Sequence, residues 1–143
     1  LELEPQAMAV HGYSQEHLEE YGMDEAVAMQ VFSCWLHVFD RGEWAGCNPN
    51  FDRGFLDVAF ARHGIEKRMG RRPIEVQTVA WLAHQLGKVV LPLGRDGMPK
   101  RSLDAILQAL GISRATDRHD ALEDCRLTLA AFKQLTSLLE GNN

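Results

Sequence analysis

A long amphipathic segment near the carboxyl end places the strongest constraint on the fold. Its apolar residues recur every three or four positions, which predicts a helix from about His119 to Leu139. Such a helix has to bury its apolar face against other elements. The residues predicted to lie on or near that face are Leu122, Cys125, Leu129, Ala130 and Phe132.

Residues that favour helix starts predict further helices earlier in the chain. Ser14 is expected to cap a helix over residues 15–21, and Asp24 is expected to cap the helix that follows. Ser102 precedes a third segment with helical spacing, which Gly111 is expected to end. The helix after Asp24 carries a stripe that is predicted to be buried, formed by Val27, Val31, Trp35 and Val38.

The middle of the chain predicts helices that alternate with short strands. Residues 48–50 form a turn that leads into a helix over 51–62, and a second helix is predicted over 78–86. Short strands are predicted at 43–47 and 73–77. Helices interrupted by a few strands indicate a helix-rich α/β domain, and 143 residues suit a single domain. The apolar face predicted for the helix over 51–62 is Phe55, Leu56, Ala59 and Phe60.

Composition excludes several classes of protein. No apolar run approaches the roughly 20 residues that cross a bilayer. Three cysteines without a Cys-x-x-Cys spacing favour a reduced, cytoplasmic protein over a disulfide scaffold. The net charge of −5 argues against binding nucleic acid by bulk electrostatics. It leaves open a nucleic-acid enzyme with a local site, where bound metal ions supply the positive charge.

Two aspartates and a histidine are the candidate catalytic residues. Asp52 follows the Asn-Pro turn, and His119 and Asp124 stand near the start of the last helix. Two divalent cations about 3.5–4 Å apart activate water and stabilise the leaving oxygen of a phosphodiester, and hard cations prefer carboxylate ligands. A histidine takes the proton from the attacking water at neutral pH. The alternatives are a first-turn carboxylate that favours the helix dipole for Asp52, an exposed helix residue for Asp124 and a surface histidine at a helix start for His119.

Four segments together carry a family resemblance. They are Val10-His-Gly-Tyr-Ser, Asn48-Pro-Asn-Phe-Asp-Arg-Gly-Phe-Leu, Arg101-Ser-Leu-Asp-Ala-Ile-Leu-Gln-Ala-Leu-Gly-Ile and His119-Asp-Ala-Leu-Glu-Asp. In order and spacing they resemble the DEDDh 3′–5′ exonucleases, a ribonuclease-H-like family that includes bacterial proofreading subunits and ribonuclease T. The resemblance extends from about Leu1 to Leu135. It implies a ribonuclease-H-like exonuclease fold with Asp52 in the second exonuclease motif and His119 with Asp124 in the third.

The chain departs from this family in its first motif. The family carries Asp-x-Glu on its first strand, and no Asp-x-Glu followed by a Thr-Gly turn occurs here. By the resemblance, Leu1 falls at the end of the third strand. We therefore expect residues 1–143 to be one exonuclease-like domain, the C-terminal two-thirds of the family fold, truncated at its N-terminus. Glu2 and Glu4 are the alternative acidic pair, but they leave too little chain for the next two strands.

The resemblance implies a metal-dependent 3′–5′ exonuclease acting on DNA or RNA, with activity impaired in this chain. Asp52 and Asp124 would hold Mg²⁺ or Mn²⁺ in an incomplete two-metal site, and His119 would be the general base. Asn48 either shapes its turn or contacts substrate, and Phe51 either packs in the core or stacks on a base. Expected partners are a single-stranded or frayed 3′ end, and a polymerase or a second copy of the chain. The alternative function is an inactive exonuclease-like module that binds nucleic acid or docks a protein.

Overall fold

The structure, a computed structural model, describes residues 5–38, 43–66, 70, 72–115 and 120–141. The described chain divides into two compact units. The first takes its residues from Leu1–Trp44, Asn50–Arg72 and Arg118–Asp120, and the second from Ala45–Pro49, Pro73–Asp117 and Ala121–Asn143. Leu1, which the resemblance places at the end of a third strand, and the alternative acidic pair Glu2 and Glu4 lie outside the described residues.

The first unit is built from helices. They are α1 Pro5–His11, α2 Gln15–Tyr21, α3 Glu25–Leu36 and, from Asn50 onward, α4 Pro49–Arg62. Sequence reasoning assigned no helix to the region of α1. The Ser14 hydroxyl accepts from the His17 N–H, and the Asp24 carboxylate accepts from two N–H groups of α3, so both predicted caps are confirmed.

Side chains of α3 contact side chains of α4 and of His63 just after it. At the start of α3, the Glu25 carboxylate accepts hydrogen bonds from Arg62 at 2.6 and 2.9 Å and lies 2.9 Å from the His63 ring nitrogen. Further along α3, the Phe32 ring stacks on Phe60, with 6.0 Å between the ring centroids. Phe60 is 2% exposed and Ser33 is 4% exposed. These residues therefore mark the face that α3 turns toward the interior.

The predicted stripe of α3 is wrong. Its four residues are at least half exposed, from 51% at Val27 to 76% at Val38. The buried row contains Ser33, with Phe32 against Phe60. Because α3 carries apolar residues on more than one side, helical spacing alone is compatible with burial of either row of residues. The residues of the exposed stripe are Val27, Val31, Trp35 and Val38.

The second unit combines two short parallel strands with helices. Strand β1 (Ala45–Gly46) pairs with β2 (Ile74–Glu75) in parallel register, with Ala45 opposite Ile74. Three helices complete the unit: α5 Val76–Gln85, α6 Leu103–Leu110 and α7 Ala121–Glu140. Ser102 caps α6, and Gly111 ends it in the left-handed region at φ 69°, as predicted.

The core of the second unit lies among α5, α6 and α7. It also takes in Val89 and Leu91 from the chain after α5. α5 contributes alanines, which let helix backbones approach closely, and α6 contributes branched aliphatic side chains. The buried members of the core are Val76, Ala80, Ala83, Val89, Leu91, Ile106, Leu107, Ala131 and Leu135.

The predicted apolar face of α7 is confirmed at Phe132, which packs against the core, and is wrong at Leu122, Cys125, Leu129 and Ala130, which are exposed. Leu122 is 59% exposed and Leu129 is 53% exposed, whereas Ala131 and Leu135 are fully buried. The interior row runs at intervals of four residues through Leu127, Ala131, Leu135 and Leu139. Leucine and alanine occur around much of the helix, so packing against α5 and α6, not spacing, selects the buried row. No helix of the described chain is long and apolar enough to span a membrane.

Candidate functional site

Asp52 and Asp124, the two predicted metal ligands, each lie in the first turn of a helix. Asp52 is exposed on α4 in the first unit. Asp124 lies on α7 in the second unit, with its side chain 30% exposed. Both carboxylates lie near N–H groups that have no partner inside their helices, a position that favours negative charge. His119, the predicted general base, lies outside the described residues.

Asn48 shapes the turn between β1 and α4. Its φ is 63°, in the left-handed region that asparagine tolerates better than most residues. Its N–H donates to the Glu75 carboxylate at 3.0 Å. The same carboxylate oxygen accepts from the Gln77 N–H at 3.3 Å and so caps α5. Glu75 thus joins the ends of both strands, and the turn-shaping interpretation of Asn48 has a structural basis.

Phe51 is at the surface, so the expectation that it packs in the core is wrong. It is 63% exposed, and its ring contacts the 68% exposed ring of Phe55 edge-on, with centroids 5.1 Å apart. The buried residues of α4, Ala59 and Phe60, lie in its second half. Burial is therefore concentrated away from the first turn, and Phe55, which was also predicted to be buried, stays outside with Phe51.

Asp124 forms an ion pair that the sequence did not reveal. Arg114, on the chain between α6 and α7, contacts the Asp124 carboxylate through Nη1 and the Asp104 carboxylate through Nε at 2.8 Å. The hydrogen bond to Asp124 is the main cause of a raised pKa at the Arg114 guanidinium. Arg114 is 16% exposed, which fits a cation that is shielded by its carboxylate partners.

Carboxylates also change the pKa of the thiol of Cys47, which precedes Asn48 in the chain. Its thiol accepts from the Gln77 amide at 3.4 Å and is half buried. Burial raises the pKa of Cys47, and the negative charges of Glu75, Asp104 and Asp124 raise it further. Negative charge therefore gathers around one end of the β1–β2 pair. The position of Glu75 between a predicted strand and a predicted helix could have identified it as a cap residue. No local sequence pattern identified Arg114 as the ion-pair partner of Asp124.

The described residues alone do not fit a metal ion. They contain no group of three histidine, cysteine or acidic side chains that could hold one. Asp124, the predicted ligand of the second unit, already faces a guanidinium. A divalent cation would need several further oxygen ligands from protein, water or phosphate.

Comparison with known proteins identifies the family. A family model described as exonuclease (RNase T) matches residues 1–132, which include Asp52, His119 and Asp124. A search of curated proteins found no match. The matched range covers all four segments of the predicted resemblance. The chain therefore belongs to the exonuclease family, which is of the ribonuclease-H-like type.

Proposed function

We propose that this chain is a 3′–5′ exonuclease domain that hydrolyses phosphodiester bonds at the 3′ end of DNA or RNA. The observation that carries the proposal is the family match over residues 1–132, which contains the three predicted catalytic residues in their expected order. Asp52 and Asp124 are the proposed ligands of Mg²⁺ or Mn²⁺, and His119 is the proposed general base. We expect low activity, because the Asp-x-Glu motif of related enzymes does not occur in the chain.

The exposed ring pair on α4 supports a single-stranded substrate. Phe51 directly precedes Asp52, and its ring and that of Phe55 lie at the surface in contact with each other. Bases stack on exposed aromatic rings, each contributing about 1–3 kcal/mol, without regard to base identity. Phe51 is therefore the proposed contact for a base near the 3′ end. Asn48 is proposed as a substrate contact only through its side chain, because its N–H is bound to Glu75.

An oligonucleotide assay tests the activity and its polarity. Matched single-stranded DNA and RNA, each labelled at the 5′ end, are incubated with Mg²⁺ or Mn²⁺. A 3′–5′ exonuclease produces a ladder of shortened labelled strands, whereas attack from the 5′ end releases the label at once. Asp52→Asn, His119→Ala and Asp124→Asn are each expected to lower the rate by about 100-fold or more.

Two substitutions serve as controls for the catalytic variants. Asp57→Asn changes another aspartate of α4, and His17→Ala changes an exposed histidine of α2. Both are expected to leave the rate within about twofold of the parent, because surface changes away from a site have small effects. Shortening that survives at full rate in all three catalytic variants would show that the site is elsewhere.

A non-catalytic binding module is the second candidate. The ion pair between Arg114 and Asp124 favours it, because a carboxylate neutralised by arginine has less attraction for a metal ion. The discriminating measurement is fluorescence anisotropy of a labelled oligonucleotide together with the cleavage assay. Binding without shortening in either metal supports the module, whereas a metal-dependent ladder supports the exonuclease. Sequencing the gene upstream of Leu1 for an Asp-x-Glu strand gives an independent test.

A further inference from the structure

A row of stacked rings lies at the surface of the first unit. It is formed by Tyr13, just before α2, and by His17 and Tyr21 on α2. We propose that this ring row, with the carboxylates of Glu16 and Glu20 beside it, binds an arginine-bearing segment of a partner protein. The inference is independent of the proposed nuclease activity, because it uses no residue of the candidate site.

The geometry of the ring row leaves aromatic surface open to a flat cation. The centroids of Tyr13 and His17 are 5.1 Å apart, and those of His17 and Tyr21 are 5.0 Å apart. The His11 ring extends the row at one end, 5.4 Å from Tyr13. Rings at such distances are displaced sideways, so they do not cover one another's faces completely. Tyr13 is 40% exposed, and Tyr21, at the other end of the row, is 69% exposed.

Hydrogen bonds to the backbone hold the ring row in place. The Tyr13 N–H donates to the His11 ring nitrogen at 3.0 Å. The Ser14 hydroxyl oxygen accepts from the His17 N–H at 3.2 Å and so caps α2. Because His17 and Tyr21 are four positions apart, they lie on the same face of the helix. A surface that is ordered in advance loses little conformational freedom when a partner binds.

The charge beside the ring row determines which partner it fits. Glu20 lies three positions after His17 and four after Glu16, so both carboxylates lie along the edge of the ring row. Like charges four positions apart destabilise a helix, and a bound cation removes that cost. Residues 1–40 contain eight acidic residues and no lysine or arginine, whereas residues 41–143 contain 15 lysines and arginines against 12 acidic residues. The region therefore attracts a basic segment and repels phosphate groups.

Arginine uses both parts of this surface at once. Its flat guanidinium lies against an aromatic ring while its N–H groups donate to a carboxylate, and its weak hydration lowers the cost of leaving water. The lysine ammonium is more strongly hydrated and lacks the planar fork, so it gains less from the rings. The ring row therefore predicts a preference for arginine over lysine at equal charge.

Binding is measured on the whole chain by fluorescence anisotropy, with a chelator present so that no metal-dependent cleavage occurs. The probes are a labelled peptide of four Gly-Arg repeats, a peptide of four Gly-Lys repeats and a single-stranded oligonucleotide. The arginine peptide should bind at least about threefold more tightly than the lysine peptide. Tyr21→Leu, which removes the ring, should weaken the arginine peptide by about two- to fivefold, whereas Tyr21→Phe, which keeps it, should stay within about twofold of the parent.

Two neighbouring glutamates of α2 provide a matched test of the charges. Glu20→Gln should weaken binding of both peptides by about two- to fivefold. Glu19 lies on the opposite side of α2, where its carboxylate accepts from the Gln15 amide at 2.8 Å. Glu19→Gln removes the same charge from the same helix and should change binding by less than about twofold, because it leaves the carboxylates beside the rings in place.

A preference for the arginine peptide that falls in Tyr21→Leu and persists in Tyr21→Phe and Glu19→Gln supports the inference. Equal binding of the two peptides, or no binding of either, overturns it. Oligonucleotide binding that depends on Tyr21 overturns it in favour of a nucleic-acid surface. A dimer in analytical ultracentrifugation that Tyr21→Leu dissociates overturns it in favour of a second copy of the chain. Should Tyr21→Leu fail to fold by circular dichroism, Tyr13→Leu carries the same comparison.

Discussion

Two leucines of α7 offer a direct test of which face of the helix is buried. Leu135 is fully buried in the core of the second unit, whereas Leu129, six residues earlier, is 53% exposed. Leu135→Ala removes three carbons from a closed core and leaves a cavity, which costs about 3–4 kcal/mol of unfolding free energy. Leu129→Ala removes a side chain that is already half in water and leaves no enclosed cavity. Its cost should be about 0.5–1 kcal/mol.

The comparison is matched because both substitutions are leucine to alanine inside the same helix. The change in helix propensity is therefore common to both and cancels in the difference. Urea unfolding is followed by circular dichroism and by tryptophan fluorescence. With a slope of about 2 kcal/mol per molar, the two midpoints should differ by about 1 M or more. A Leu129→Ala midpoint as low as that of Leu135→Ala would refute the assignment of the buried row, and with it the packing of α7 described above.

Three further predictions concern the turn, the thiols and acid stability. Asn48→Ala should cost about 1 kcal/mol more than Asn48→Gly in urea unfolding, because only glycine adopts φ 63° without strain. A thiol reagent at pH 8 should label exposed Cys125 faster than Cys47, whose pKa is raised by burial. The pKa of Glu25 is lowered from 4.5 by its histidine and arginine partners. A lowered folded-state pKa gives stability that is present above about pH 4.5 and is lost as the pH falls through the folded value. The difference in melting temperature between the parent and Glu25→Gln should therefore shrink from pH 6 to pH 3.

Local signals in the sequence were sufficient to predict where several helices begin and end. A cap residue acts on N–H groups two or three positions away, so its effect does not depend on the rest of the fold. The predicted starts at Ser14, Asp24 and Ser102 and the end at Gly111 are confirmed for this reason. The two short strands were also predicted in the right segments, although only two residues of each segment form strand pairs.

Buried faces could not be predicted in the same way. Spacing identifies a face only when a helix has a single apolar side, and both α3 and α7 have apolar residues on several sides. Tertiary packing then selects the row, so Ser33 is buried while Trp35 is 54% exposed. The family of the protein was predicted correctly because it depends on the order of motifs, which is independent of which face each helix buries.

The charges around Asp124 explain why a motif alone is an incomplete description of this site. The charges of Glu75, Asp104 and Asp124 together raise the pKa of the Cys47 thiol. Arg114 is a cation that bonds to two of these carboxylates, Asp104 and Asp124. One of these two, Asp124, is the proposed metal ligand. The motif identifies Asp124, but the electrostatic environment of this carboxylate depends on Arg114, ten residues earlier in the chain, which no local sequence pattern links to it.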